Sequence, residues 1–238
     1  MKAYIVFTRI PVEHKTKTRL LPYYTPKQCV GLHTAMLKDL ARTLNGLDAS
    51  VKTYIYYLPE GDVSIIKNIF GDDKTYREQR GENLGDKMYN AISEVLSEGA
   101  SAVSLSGTDI PLLSAEDIIS SFTNLENNDI VLSPTEDGGY YLVGMKKANK
   151  EIFDIEGYGG SSVYENTKQK IKDMGLSLGT GISHRDIDTK EDIKAYYEIM
   201  RTDADFRKTH TAKFLKENKK IAIIIATYNE EDSIVSLM

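Results

Sequence analysis

Short apolar runs alternate with longer amphipathic stretches along residues 1–200. Residues 3–8 (AYIVFT), 51–58 (VKTYIYYL), 101–106 (SAVSLS), 129–132 (DIVL) and 140–145 (YYLVGM) are rich in β-branched or aromatic side chains, and each predicts a strand. Residues 176–178 are a shorter strand candidate. Between these runs the apolar spacing is helical. Val30, His33, Leu37, Leu40, Ala41 and Leu44 recur on one face after Thr25-Pro26, an N-cap followed by a first-turn proline, and Gly46 ends the stretch. Residues 63–70, 83–97, 115–125, 161–174 and 190–200 predict further helices, with Ser114 and Thr189 as caps. Strands alternating with helices at this spacing predict an α/β layered fold with a mostly parallel sheet. In such sheets the ligand crevice lies at the carboxyl ends of the strands.

Composition narrows the function classes. The chain has 238 residues, 41% hydrophobic and 27% charged, enough for one large domain or two small ones. No apolar run approaches the roughly 20 residues that span a bilayer. The net charge of −5 argues against a nucleic-acid binder, which would carry a clustered basic surface. A single cysteine, Cys29, forms no internal disulfide, so a reducing cytoplasm is the expected location. The histidines at 14, 33, 184 and 210 are far apart, and no HExxH, paired cysteines, G-x-S-x-G, Walker A or G-x-G-x-x-G is present. Zinc, triad and P-loop chemistries are thereby disfavoured.

What remains is a set of loops at strand ends. The loop after the first strand, FTRIPVEHKTKTRL, carries Arg9, Lys15, Lys17 and Arg19 against the single acid Glu13. Arg forks, Lys point charges, Thr18 and backbone N–H groups suit a diphosphate; a solvated turn is the plainer reading. In SLSGTDIPLLSAED, Asp109 leaves the end of an apolar strand between Gly107 and Pro111. It is either a turn aspartate or a ligand for Mg²⁺ or Mn²⁺. In SPTEDGGYYLVGM, Asp137-Gly138-Gly139 signals a hairpin turn, and the two glycines would let a ligand approach the backbone. In RGENLGDKM, Gly85 lies where a helix begins and its N–H groups are free. In HRDIDTKEDI, Asp188-Thr189 reads as a helix cap, and Asp188 is alternatively a second metal ligand.

In this order the motifs resemble the bacterial DUF2064 family, also called transferase 1, of the nucleotide-diphospho-sugar transferase (GT-A) superfamily. FTRIPVEHKTKTRL resembles F-x-K-x-P-V-P-G-x-x-K-T-R-L, GENLGDKM resembles G-x-x-L-G-x-R-M, and GTDIPLLSAEDI resembles G-S-D-x-P-x-L-T. PTEDGGYYLVGM is similar to P-x-x-D-G-G-Y-Y-L-x-G, and DIDTKEDI to D-V-D-T-x-E-D-L. The resemblance spans about residues 1–200. One departure stands out: Glu13-His14 replaces the family's Pro-Gly, so the loop lacks its glycine. The resemblance implies a three-layer α/β/α sandwich of the GT-A kind, binding a nucleotide or nucleotide sugar and a small-molecule acceptor at the strand rim. It implies Mg²⁺ or Mn²⁺ held by Asp109 and Asp188, with Lys17 and Arg19 toward the phosphates; Arg9, Thr18 and Gly85 are the further nucleotide-side candidates from the loops themselves. Asp137, Gly138 and Gly139 would line the acceptor side, with Asp137 as the candidate general base.

The expected activity is glycosyl transfer from a nucleotide-diphospho-sugar. The alternatives are nucleotidyl transfer to a phosphorylated small molecule, as in guanylyltransferases, and a non-catalytic nucleotide-binding accessory domain. The transferase domain is expected to close near residue 200. Residues 201–220 carry seven basic and three acidic side chains with few apolar ones, and 201–219 reads as a charged linker or helix. Residues 220–238 (KIAIIIATYNEEDSIVSLM) resemble the opening strand of a family-2 glycosyltransferase, the truncated start of a second domain. Alternatively the run 221–226 extends the first sheet or pairs with a second copy in a homodimer.

Overall fold

The computed structural model describes residues 1–155 and 157–219; the expected second-domain start at 220–238, with the homodimer contact placed there, lies outside them. In chain order the elements are β1 (Lys2–Arg9), α1 (Pro26–Asn45), β2 (Val51–Leu58), α2 (Ser64–Phe70), β3 (Thr75–Glu78), α3 (Leu84–Ser97), β4 (Ala102–Ser106), α4 (Ala115–Asn127), β5 (Ile130–Pro134), β6 (Tyr140–Met145), α5 (Val163–Asp173), β7 (Leu178–Thr180), α6 (Lys190–Thr202) and α7 (His210–Glu217).

Strand β1 is apolar at nearly every position, and side chains of a strand alternate between faces, so it needs cover on both. Ala3, Ile5 and Phe7 enter one core, under α3 and α5 through Met88, Ile92, Val95 and Ile171. Tyr4 and Val6 enter the other, under α1, α2 and α4 through Leu37, Leu40, Ile66, Ile118 and Phe122. The result is the expected α/β/α sandwich. Each buried Leu, Ile or Phe contributes about 1.5–3 kcal/mol of transfer free energy.

The sheet order is β3-β2-β1-β4-β6-β5-β7. β1 pairs in parallel with β2 and β4, β2 with β3, and β5 with β7, while β6 runs antiparallel between β4 and β5. The Asp137-Gly138-Gly139 turn produces this reversal, closing with Thr135 N–H donating to the Gly139 carbonyl at 3.0 Å. Because β6 is reversed, its first residues lie on the same rim as the carboxyl ends of β1 and β4. Two strands differ from expectation. β3 (TYRE) is a short, partly charged edge strand whose pattern carries no apolar run. β7 begins at Leu178, where the expected strand ends.

Capping boxes fix the helix starts: Thr25 with Gln28 on α1, Ser114 with Asp117 on α4, and Thr189 with Asp192 on α6. The segment after residue 200 is built into the domain. Phe206, Ala212 and Leu215 join Leu20, Leu32, Met36, Ile187 and Tyr196 in a third core outside α1. The helix of the two expected forms, linker or helix, is what residues 210–217 adopt. The buried Asp39 of α1 accepts hydrogen bonds from the His210 and Thr211 N–H groups, both at 2.8 Å, and so caps α7 from another element. Asp39→Ala should therefore lower unfolding free energy in urea by about 2–3 kcal/mol, since it orphans two helix N–H groups that met a charged acceptor. An unchanged transition would show that α7 docks without this cap.

Candidate functional site

The sheet order reverses between β1 and β4, the place where an open α/β sheet leaves a crevice. A cleft of ≈ 870 Å³ opens there. Its lining comes from the β1 loop (Arg9, Lys15–Arg19), the β4 loop (Gly107–Ile110), the start of β6 (Gly139–Tyr141), the turn before it (Thr135, Asp137), and Asp186 and Asp188 before α6.

The β1 loop folds inward because Leu20 is fully buried in the third core, with a short 3-10 turn at Thr18–Leu20 leading into it. His14 and Lys17 adopt positive φ, at 62° and 50°. His14 stands where the family pattern has glycine, so the chain keeps the left-handed conformation without the residue that favours it. Lys17, at the start of the 3-10 turn, sends its side chain into the cleft floor with only 4% exposure. Its ammonium lies 2.7 Å from an Asp109 carboxylate oxygen and 3.8 Å from one of Asp188, and also donates to the Ile187 carbonyl. Arg19 donates to the other Asp188 oxygen at 2.6 Å. Ile187 N–H donates to the Asp109 carbonyl at 2.9 Å, stitching the two aspartate-bearing loops together.

Asp109 and Asp188, which lie 79 positions apart in the sequence, thus share one cation. Thr189 and Asp192 cap α6, and this leaves the Asp188 carboxylate for Lys17 and Arg19. Burial pushes the Asp109 carboxyl pKa up, but Lys17 and His33 outweigh it and hold it below the usual range. Arg9 is spent differently: it meets Glu60 at 3.3 Å on the β2 side of the cleft.

The glycines divide. Gly139 lines the cleft, but Gly85 and Gly138 do not. A side chain on Gly85 would strike the Phe153 carbonyl, and one on Gly138 (φ 93°) the Ser161 carbonyl. At both, another backbone lies where a side chain would project, which is a packing reason for glycine. Gly107, with open space where a Cβ would project, is the cleft glycine of the β4 loop. Asp137 lines the cleft, but its Oδ1 accepts from the Thr135 hydroxyl at 2.5 Å and from Gly139 N–H at 3.0 Å. That carboxylate holds the turn, which weakens it as a general base.

Two residues of the site escape a sequence reading. Asp186 lies two positions before Asp188 with the buried Ile187 between them, the alternation by which an extended segment puts both carboxylates on one side. Burial, then Asp137 and Asp192, push its pKa up to about 6. His33 on α1 is buried beneath the β1 loop, with Nε2 3.3 Å from the Arg9 carbonyl and Nδ1 without a partner. Burial lowers its pKa to about 4, so it is neutral at pH 7. The helical spacing marks His33 as core and gives no sign of the cleft above it.

Mg²⁺ or Mn²⁺ is the expected partner of Asp109 and Asp188. Among the described residues no cluster of three or more His, Cys, Asp or Glu side chains is arranged as a cage. Mg²⁺ is commonly held by one or two carboxylates plus substrate phosphates, and an all-oxygen pair that already holds one cation, the Lys17 ammonium, has the right chemistry for it. The residues fit.

Three substitutions check this geometry. Asp186 carries a folded pKa above its unfolded value of 3.8, so its ionised form costs stability above about pH 6 and costs nothing below about pH 4. In chelator, Asp186→Asn should stabilise the protein at pH 7.5 by about 1 kcal/mol after solvent screening and lose that gain near pH 4, read from melting curves across pH. Gly138→Ala should destabilise by more than about 2 kcal/mol in urea, whereas Gly107→Ala should stay within about 0.5 kcal/mol. Equal effects would mean that Gly138 is not pinned by Ser161.

Comparison with known proteins agrees with this architecture. A 2-phospho-L-lactate guanylyltransferase of Methanocaldococcus jannaschii is 26% identical over 211 residues, 87% of this chain and 86% of that protein. The enzyme of the same name from Methanocaldococcus vulcanius is 28% identical over 215 residues, 87% of this chain and 88% of its own. The crystal structure of a Desulfovibrio desulfuricans protein, assigned as a nucleotide-diphospho-sugar transferase, superimposes with a TM-score of 0.84 at 28% identity, covering 91% of this chain and 94% of that one. The model of the family described as "Uncharacterized protein conserved in bacteria (DUF2064)" matches residues 31–159. The chain belongs to that family, and is a transferase on the α/β fold of the nucleotide-diphospho-sugar transferases.

Proposed function

We propose that the protein is a divalent-metal-dependent nucleotidyltransferase that joins the nucleotide of a nucleoside triphosphate, GTP first among them, to the phosphate of a small phosphorylated acid. The observation that carries this reading is the meeting of Lys17 and Arg19 with Asp109 and Asp188 at the carboxyl ends of β1 and β4. Guanylyltransferase relatives that align over most of both chains support it. So does the cleft volume, which suits a nucleotide with a small acceptor beside it.

The reaction asks for charge stabilisation and positioning more than proton transfer. An acceptor phosphate oxygen attacks the α-phosphorus, the bond to the β-phosphate's bridging oxygen breaks, and pyrophosphate leaves with the electron pair. A phosphate ester is mostly dianionic at neutral pH, with its second pKa near about 6, so this nucleophile needs no general base. The engagement of Asp137 in its turn is then no obstacle. Lys17, from the buried floor of the cleft, and Arg19, from its exposed side, would neutralise the phosphates. The divalent cation, held on Asp109 and Asp188, would add Lewis-acid polarisation of phosphoryl oxygens.

Glycosyl transfer from a nucleotide-diphospho-sugar is the second reading, favoured by the assignment of the Desulfovibrio structure. The two break different bonds, and one experiment separates them. Purified protein with Mn²⁺, each NTP and 2-phospho-L-lactate should release pyrophosphate and form a new phosphoanhydride visible by ³¹P NMR, with GTP preferred. Asp109→Ala should cut kcat/KM by about 10²–10³-fold. Consumption of a nucleotide sugar with no pyrophosphate from any NTP would sink the nucleotidyl reading. An unimpaired Asp109→Ala would remove that residue from the machinery.

A further inference from the structure

The Lys17 ammonium occupies the place at which the two carboxylates could hold a metal ion. It bridges Asp109 and Asp188 at 2.7 and 3.8 Å and is itself buried, while the Asp109 side chain is 46% exposed to the cleft. The pair is therefore charge-compensated from inside the protein and open to a ligand from outside. A second cation cannot join the same oxygens without meeting the ammonium at close range, in a pocket where like charges are poorly screened. Lysine suits a displaceable role. Its charge is a compact point on a flexible four-carbon stem, with no fixed fork to lock it to one carboxylate. Arg19, by contrast, is surface-exposed and reaches only Asp188.

We propose that Lys17 is an internal counter-cation that competes with the divalent metal for the Asp109–Asp188 pair. The metal enters when Lys17 is drawn away, and the phosphates of an incoming nucleotide are the partner that draws it. The nucleotide clause rests on the nucleotidyl-transfer reading; the competition does not. Two consequences follow from the geometry. In nucleotide-free protein the metal binds weakly although its carboxylates are already assembled. Removing the ammonium leaves two like charges facing each other with one neutraliser lost, which destabilises the loops until a cation returns.

The test is Mn²⁺ binding alone, measured by electron paramagnetic resonance on nucleotide-free protein. Lys17→Met, which keeps the stem and removes the charge, should bind Mn²⁺ at least 10-fold more tightly than wild type, and Lys17→Gln should do the same. Adding Asp109→Asn to either variant should abolish the gain. Thermal unfolding gives a second readout: the variants should melt below wild type in chelator and recover more than wild type on adding Mn²⁺. Folding of each variant is verified by circular dichroism. Unchanged or weaker Mn²⁺ binding in both Lys17 variants overturns the proposal. So does tighter binding that survives Asp109→Asn, because the ion is then elsewhere. Neither measurement uses a nucleotide or a turnover, so the nucleotidyl reading can fail while the competition holds, and the reverse.

Discussion

Strand β1 must be covered on both faces, and most of the molecule follows from that need. Its side chains enter two separate cores, so helices have to lie above and below the sheet. Once both faces are occupied, the sheet offers a ligand only its ends. The right-handed connections that lay helices on a parallel sheet also bring the loops after β1 and β4 to one rim, at the point where strand order reverses. The candidate site lies at this rim, where the cleft opens.

The rim is then governed by charge. Lys17, Arg19, Asp109, Asp186 and Asp188 converge there, and each would be costly without partners in a cleft partly withdrawn from water. Lys17 settles the balance for Asp109 and Asp188 together. Asp186 lies beside them with no ion pair among the described residues, and burial and the neighbouring Asp137 and Asp192 raise its pKa. A third core, built from the Leu20 anchor, α6 and α7, holds this arrangement in place from outside. Residues 201–217 thus serve the site indirectly: they pack in the core that holds Leu20 of the β1 loop and Ile187, which lies between Asp186 and Asp188. Functional sites of this kind commonly hold groups that the rest of the fold must stabilise.

Much of this was legible in the chain. Short apolar runs marked β1, β2, β4, β5 and β6, and Ser, Thr and Pro signals marked the helix starts. Motif order pointed to the family and to Asp109, Asp188, Lys17 and Arg19. What the pattern left open has physical causes. β3 is stabilised by pairing with β2, not by an apolar pattern of its own. At Gly85 and Gly138 a glycine reports close approach without saying of what; the carbonyls of Phe153 and Ser161 are what a side chain there would meet. The basic stretch after residue 200 left linker and helix both open because its buried residues are few; Phe206, Ala212 and Leu215 pack where α1 supplies the other half of the core.

The sequence by itself determined the layered α/β class, the family, and the presence of a basic loop and acidic turns at strand ends. These depend on local periodicity and on neighbours within a few residues, which a linear reading captures. Only the tertiary structure decided that Asp109 and Asp188 face one ammonium, that Arg9 turns instead to Glu60, that Asp137 is tied into its own turn, and that Asp186 and His33 belong to the cleft. Those outcomes depend on which of several possible partners lies nearest after folding. Coulomb and hydrogen-bond energies change steeply over a few ångströms, and no spacing along the chain encodes that distance.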